Sequence, residues 1–187
     1  MIIVRLIGIC IPFYLPFVAD ANSSDFDAKQ ITQITDNDPS TKTLTIFLLR
    51  HAEKVDDSRD PALSPAGEQR AELLAKMLKD LEVTQIHTTD YKRTRDTVAP
   101  LAQAHGLSPE TYDPRALQSF AGKLKRTHGV QVVVGHSNTT PELVKQLGGI
   151  PGEPIVEANE YDRLYIITLV DGALVNSMIL RFGPSNR

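Results

Sequence analysis

Cysteine is nearly absent: Cys10 is the only one among 187 residues. It lies in an N-terminal stretch expected to be removed, so the processed chain would carry no disulfide, no thiol nucleophile and no Cys-ligated zinc. An excess of charge of one sign is also missing. Twenty Lys plus Arg against 23 Asp plus Glu give a formal charge of -3, which creates no overall field for a polyanion, and nucleic acid is not an expected partner. No apolar run reaches the roughly 20 residues that a membrane-spanning helix needs, and no internal repeat or low-complexity tract is visible. What remains, 41% hydrophobic and 23% charged residues, is the make-up of one globular domain, long enough to bury a core without staples.

The N-terminus reads differently from the rest. Arg5 precedes the apolar stretch Leu6 to Ala19, which contains Pro12 and Pro16, and Ala19-Asp20-Ala21 puts small residues where a signal peptidase reads. These features predict a signal peptide over 1–21, cleaved before Asn22. They place the protein in the periplasm or outside the cell, with no stable membrane insertion after cleavage; an uncleaved anchor is the alternative. Residues 22–42 are rich in Ser, Asp, Asn and Thr and have no helical or strand period, so they read as a flexible N-terminal segment. Regular patterning begins at Thr43, and 43–187 is taken as the folded domain.

Within that domain strands and helices alternate. Leu44 to Leu49 and Val130 to Val134 are short, continuous apolar runs of the kind buried on both faces of a sheet. Ser64-Pro65 supplies an N-cap and a first-turn proline for a helix over Pro65 to about Asp80, with Ala71, Leu74, Met77, Leu78 and Leu81 on one face. Thr84 to His87 and Glu110 to Asp113 read as short strands. Lys92 to His105, closed by Gly106, a segment marked by Leu117, Phe120, Ala121 and Leu124 and ending at Gly129, and a segment opened by Thr140-Pro141 and closed at Gly148-Gly149 read as helices. Leu164 to Val170 and Leu174 to Leu180 flank Asp171-Gly172, a tight-hairpin pair. The fold class is therefore α/β: a three-layer α/β/α sandwich with a mainly parallel central sheet and an antiparallel C-terminal hairpin.

In such sheets ligands bind beyond the carboxyl ends of the strands. Arg50-His51 directly follows one buried strand and Gly135-His136 follows the other, so both imidazoles emerge at one sheet edge. Arg93, at the start of the helix after the Thr84 to His87 strand, faces the same edge. Two histidines and two guanidinium groups around one point suit a tetrahedral anion, because guanidinium forks match phosphoryl oxygens.

These residues carry a family resemblance. Leu49-Arg50-His51-Ala52-Glu53-Lys54, Leu63-Ser64-Pro65-Ala66-Gly67, Thr89 through Thr97 and Gly135-His136 follow one another as in the histidine phosphatase superfamily. The chain resembles the short members of that superfamily's first branch, which have the phosphoglycerate mutase-like fold. The resemblance implies a phosphatase without cofactor or metal, acting on a phosphorylated small molecule. It implies that His51 is the nucleophile, that Arg50, Arg93 and His136 hold the phosphoryl group with it, and that a carboxylic acid protonates the leaving atom. For that acid Asp113 is the first candidate and Glu110 the second, while short members resembling phosphohistidine phosphatases work without one. Ala52 stands where the family usually has Gly. Exported short members include a phosphatase of lipopolysaccharide sugars, so an envelope phosphosugar is an expected substrate by analogy.

Several rivals follow from the same residues. His51-Ala52-Glu53 matches half of a zinc deaminase signature, but the Pro-Cys-x-x-Cys half is missing. A metallohydrolase using His51, His136 and carboxylates is a second alternative. A phosphoglycerate mutase-like phosphotransferase is a third; only 42 residues separate Arg93 from His136, fewer than the family's mutases have, which favours hydrolysis. A non-catalytic phosphate-binding module is the fourth. Glu53, Asp162 and Arg163 are expected to orient the site from behind, Lys54 and Arg95 to be solvated, and His87, His105 and His128 to be surface or capping residues.

Overall fold

The computed structural model describes residues 41–185. The expected signal peptide, with Cys10, and all but the last two residues of the 22–42 segment lie outside the described residues. Six strands and four helices follow in the described part: β1 (Thr43–Arg50), α1 (Pro65–Leu78), β2 (Val83–Thr88), α2 (Lys92–His105), β3 (Glu110–Thr111), α3 (Leu117–Leu124), β4 (Gly129–Gly135), α4 (Thr139–Gln146), β5 (Arg163–Val170) and β6 (Ala173–Arg181).

The strands form one sheet in the order β3-β2-β4-β1-β5-β6. The pairs β1–β4, β2–β4 and β2–β3 are parallel, whereas β5 runs antiparallel to both β1 and β6. Alternation along β1 divides the core. Leu44, Ile46 and Leu48 pack with Phe120, Leu124, Leu143 and Val144 of α3 and α4, while Phe47 and Leu49 pack with Leu74, Leu78, Val98 and Leu101 of α1 and α2. Helices therefore cover both faces, which makes β1 and β4 continuous apolar runs instead of alternating ones.

Local chemistry sets the element ends. The Ser64 hydroxyl accepts from Gly67 N at 3.2 Å to cap α1. Gly106 closes α2 in the left-handed region, at φ 63°. Asp171 and Gly172 both take positive φ, 50° and 78°, as a two-residue hairpin turn requires. Four readings need correction. The first helix stops at Leu78 instead of Asp80, the third stops at Leu124 because Gly129 already opens β4, and the Glu110 strand is two residues long, because β3 is an edge strand that pairs only with β2. His87 is not a surface residue. It is 1% exposed on an internal strand covered by α3, edge-on to Phe120 and hydrogen-bonded through Nε2 to Gln131 at 3.1 Å.

Candidate active site

β1 and β4 are parallel and in register, with Arg50 opposite Gly135. His51 and His136 are thus the first residues past two adjacent strand ends, and His51 N donates to Gly135 O at 2.9 Å. The two rings meet edge to face with centroids 5.6 Å apart. A third element supplies the next groups: the Thr89 turn after β2 and the first turn of α2 bring Thr89 and Arg93 to His136.

His51 is 2% exposed, and its Nδ1 lies 2.8 Å from the carbonyl oxygen of Ala52. A carbonyl only accepts, so Nδ1 carries the proton and Nε2 holds the lone pair. Burial pushes this imidazole down to about 3, and the charges of Arg50 and Arg93 push the same way against the Ala52 bond. The ring is neutral at any physiological pH. Ala52, where the family usually has Gly, is accommodated: it is buried beside Leu63 and Ala71, and its N–H donates to Thr97 Oγ1 at 2.9 Å.

His136 has the complementary tautomer. Arg93 Nη2 can only donate, at 3.4 Å to Nδ1, so Nε2 bears the proton and donates to Thr89 Oγ1 at 3.0 Å. Burial lowers this imidazole to about 4, Arg93 and Arg50 reinforce the shift, and the negative charge of Glu157 opposes it. Tyr91 packs edge-on against His136 with centroids 5.1 Å apart and lies under the Arg93 guanidinium at 4.4 Å.

Arg50 is held from behind. Its Nη1 donates to Glu160 O at 3.1 Å and its Nη2 to Glu157 O at 2.8 Å, while the Tyr161 ring stacks 4.0 Å from the guanidinium carbon. Nη2 also meets the Glu157 carboxylate at 3.0 Å. The buried Nε has no partner among the described residues. A buried N–H donor of this kind beside two histidines fits a phosphoryl oxygen. The loop that cradles Arg50 is itself anchored by Glu160. That carboxylate accepts from Val156 N at 2.9 Å and binds Arg163 and Arg181, and it is held down at about 2 by these bonds against the opposing effect of burial.

Arg50, His51, Arg93 and His136, all expected at the site, are brought together. Asp113 is committed to another partner. Its carboxylate binds Arg115 side chain and backbone, which hold it below the usual carboxylate range. An exposed, ionised carboxylate capping the approach to α3 is a poor proton donor. Glu110 is likewise committed to Lys123 on the sheet edge. Glu53 forms a buried pair with Arg70 at 2.7 Å, tying the loop after His51 to α1 and to the carbonyls of Phe182 and Pro184. Arg163 acts behind the site through Glu160, and Asp162 binds Arg181. Lys54 pairs with Asp57 and Arg95 with Asp90.

Sequence reasoning did not single out Tyr161, Glu157, Glu160 or Asp60. Thr89 and Tyr91 were inside a recognised block without a role of their own. The loop residues between α4 and β5 follow no period, and their only signal was the cluster of polar side chains from Glu157 to Arg163 immediately before a strand. Among the described residues no group of three or more His, Cys, Asp or Glu side chains is arranged to hold a metal ion, and no helix is long and apolar enough to cross a membrane.

With this geometry in view, comparison with known proteins is informative. The model of the histidine phosphatase superfamily (branch 1) matches residues 46–116. A probable phosphoglycerate mutase, GpmB, of Shigella dysenteriae serotype 1 is 32% identical over 127 residues, covering 63% of this chain and 59% of that protein. Its counterpart in Escherichia coli strain K12 / DH10B is 31% identical over the same length. The chain thus spans about three fifths of the length of the curated relatives it matches. Among solved structures, the protein histidine phosphatase SixA complexed with tungstate aligns with a TM-score of 0.59 at 17% identity, over 73% of this chain and 96% of that one. A mycobacterial glucosyl-3-phosphoglycerate phosphatase aligns with a TM-score of 0.56 at 13% identity, over 78% and 100%. At such identities these two speak for the phosphoglycerate mutase-like fold alone. Taken with the paired strand-end histidines and the two arginines, the matches make this chain similar to the histidine phosphatase superfamily (branch 1) over residues 46–116.

Proposed function

We propose that the chain is a metal-independent phosphatase that hydrolyses a phosphomonoester or phosphoramidate through a phosphohistidine on His51. The observation that carries this reading is the His51–Ala52 bond, which leaves Nε2 as an unprotonated nucleophile in a pocket with two arginines. Nε2 attacks phosphorus, the P–O or P–N bond breaks, and its electron pair leaves with the departing atom, which takes a proton from water at the mouth. Water then attacks the phosphohistidine, releasing inorganic phosphate and restoring the ring. Arg50 and Arg93 bind the phosphoryl oxygens throughout, and His136 exchanges its Thr89 bond for one to an equatorial oxygen as charge builds there.

The full chain would be incubated with a panel of phosphorylated compounds, with and without chelator, and the radiolabelled intermediate trapped. The expected result is turnover unaffected by chelator and a label that is acid-labile, alkali-stable and lost in His51→Ala. Unchanged turnover in that variant sinks the mechanism. The names of the curated relatives favour a second reading, phosphoglycerate mutase-like phosphotransfer; interconversion of phosphoglycerate isomers without phosphate release would establish it.

The same proposal places the protein in the periplasm or outside the cell, on the strength of Arg5, the Leu6 to Ala19 stretch and Ala19-Asp20-Ala21. An envelope phosphosugar is the substrate this location suits. N-terminal sequencing of the protein from cell fractions tests it: Asn22 at the N-terminus of exported protein supports export, and retention of Met1 in the cytoplasm refutes it.

A further inference from the structure

Each arginine expected to bind phosphate also faces a carboxylate of this chain. Glu157 reaches Arg50 Nη2 at 3.0 Å and takes a hydrogen bond from Ser137 Oγ, next to His136. Its side chain is 61% exposed against 1% for Arg50, so Glu157 is the outer partner, at the rim, and Arg50 the inner one. Asp60 lies 3.9 Å from Arg93 Nη1 and is fixed there by a bond from Lys92 N at 2.8 Å. Asp60 is also the more exposed partner, 46% against 16%.

This layering has a consequence for substrate choice. The inner arginines attract the phosphoryl group of any substrate, but the remainder of the molecule must pass or rest against the two outer carboxylates. An anion on that fragment meets like charge at a few ångströms, in a setting where water screens only partly. A cation there gains the opposite interaction. The Asp113–Arg115 pair is internally neutralised and Lys54 is paired with Asp57, so neither cancels the effect.

We propose that Glu157 and Asp60 are specificity-determining residues, selecting phosphorylated compounds whose departing fragment is cationic and rejecting those whose fragment carries a second anion. The inference rests on the phosphatase reading of the same pocket and adds the charge of its substrate. Discrimination of this kind comes from a repulsive element built against the wrong ligand as much as from attraction to the right one.

The test uses three compounds with one phosphate on one six-carbon frame: glucosamine 6-phosphate, glucose 6-phosphate and 6-phosphogluconate. Catalytic efficiency with the full chain should fall in that order, with roughly tenfold or more between the extremes, and the spread should shrink as salt is raised. Glu157→Gln and Asp60→Asn should each narrow the spread, chiefly by improving the phosphogluconate value. A flat or reversed order in the parent chain overturns the proposal, as does a spread that survives both substitutions together. Equilibrium binding of the same three compounds to the His51→Ala chain reads the order without turnover. Absence of all hydrolysis with the binding order intact would therefore remove the phosphatase reading alone, and a flat binding order would remove the charge selection.

Discussion

Nδ1 of His51 and the carbonyl oxygen of Ala52 stand 2.8 Å apart, and this one bond decides which nitrogen of the ring is free to react. The carbonyl belongs to the next residue in the chain, so the tautomer is set by local backbone geometry and does not require a distant carboxylate. It also explains how burial, which lowers the ring to about 3, leaves the histidine usable as a nucleophile at neutral pH.

Removal of that nucleophile should be close to complete in effect. His51→Ala is expected to lower turnover by about 10³-fold or more, because the lone pair of the other ring, His136 Nδ1, is taken by Arg93. Steady-state kinetics with an aryl phosphate, alongside the trapped-intermediate assay, checks this.

The two site histidines should make the fold acid-sensitive. Their folded values, about 3 for His51 and about 4 for His136, lie below the roughly 6.5 of an unfolded histidine. Between these limits the unfolded chain binds more protons than the folded one. Stability is therefore full above about pH 6.5 and declines as pH falls toward 4 and then 3, by on the order of 3 kcal/mol for each ring. Glu160, depressed to about 2, acts in the same direction: its contribution is present above its usual range near 4.5 and is lost as pH falls through about 2. Ring-proton chemical shifts of both histidines should stay flat from pH 8 to 5, and denaturation midpoints should drop below pH 6. Titration of either ring near 6.5 would contradict the assignment.

Arg50 and Arg93 should fail in different ways. Arg50 is buried and donates to the carbonyls that shape the 156–160 loop, so Arg50→Ala should cost roughly 2–4 kcal/mol of stability as well as phosphate affinity. Arg93 is less deeply buried than Arg50, at 16% exposure, and rests on Tyr91, His136 and Asp60. Arg93→Ala should stay within about 1 kcal/mol of the parent while raising KM strongly. Thermal denaturation beside kinetics for both variants separates the two outcomes.

Gly67 should tolerate no side chain. A Cβ there would lie 2.2 Å from Glu53 O, and that carbonyl is backbone, fixed by Ser64 N at 2.9 Å. Gly67→Ala is expected to destabilise by about 1–3 kcal/mol and to slow turnover by shifting the loop that follows His51. A variant with parent-like melting temperature and activity would show that the contact yields freely.

How much of this could be read without coordinates depends on the residue. The strands at Leu44 and Val130, the helices opened by Ser64-Pro65 and closed at Gly106, and the Asp171-Gly172 hairpin were legible because each has a local signature: a buried apolar run, a cap or a positive-φ pair. Arg50, His51, Arg93 and His136 were legible because strand ends and a helix start place them by rule at one sheet edge. His87 was misread because a lone histidine in a six-residue strand does not show that the strand is internal. Asp113 was chosen for its position in sequence, and its commitment to Arg115 two residues later became visible only with side chains in place.

Residue order alone thus determined the alternation of elements, the sheet's parallel character and the identity of the four groups gathered at the strand ends, since all of these follow from periodicity and chain direction. Tertiary structure decided the rest. The 150–162 loop has no repeating pattern, yet it delivers Tyr161, Glu157 and the carbonyls that hold Arg50, because its position is set by buried Glu160 and Arg163 together with Arg181 and not by any local preference. The tautomers of both histidines, and the two carboxylates standing outside the arginines, likewise exist only as distances between segments far apart in the chain.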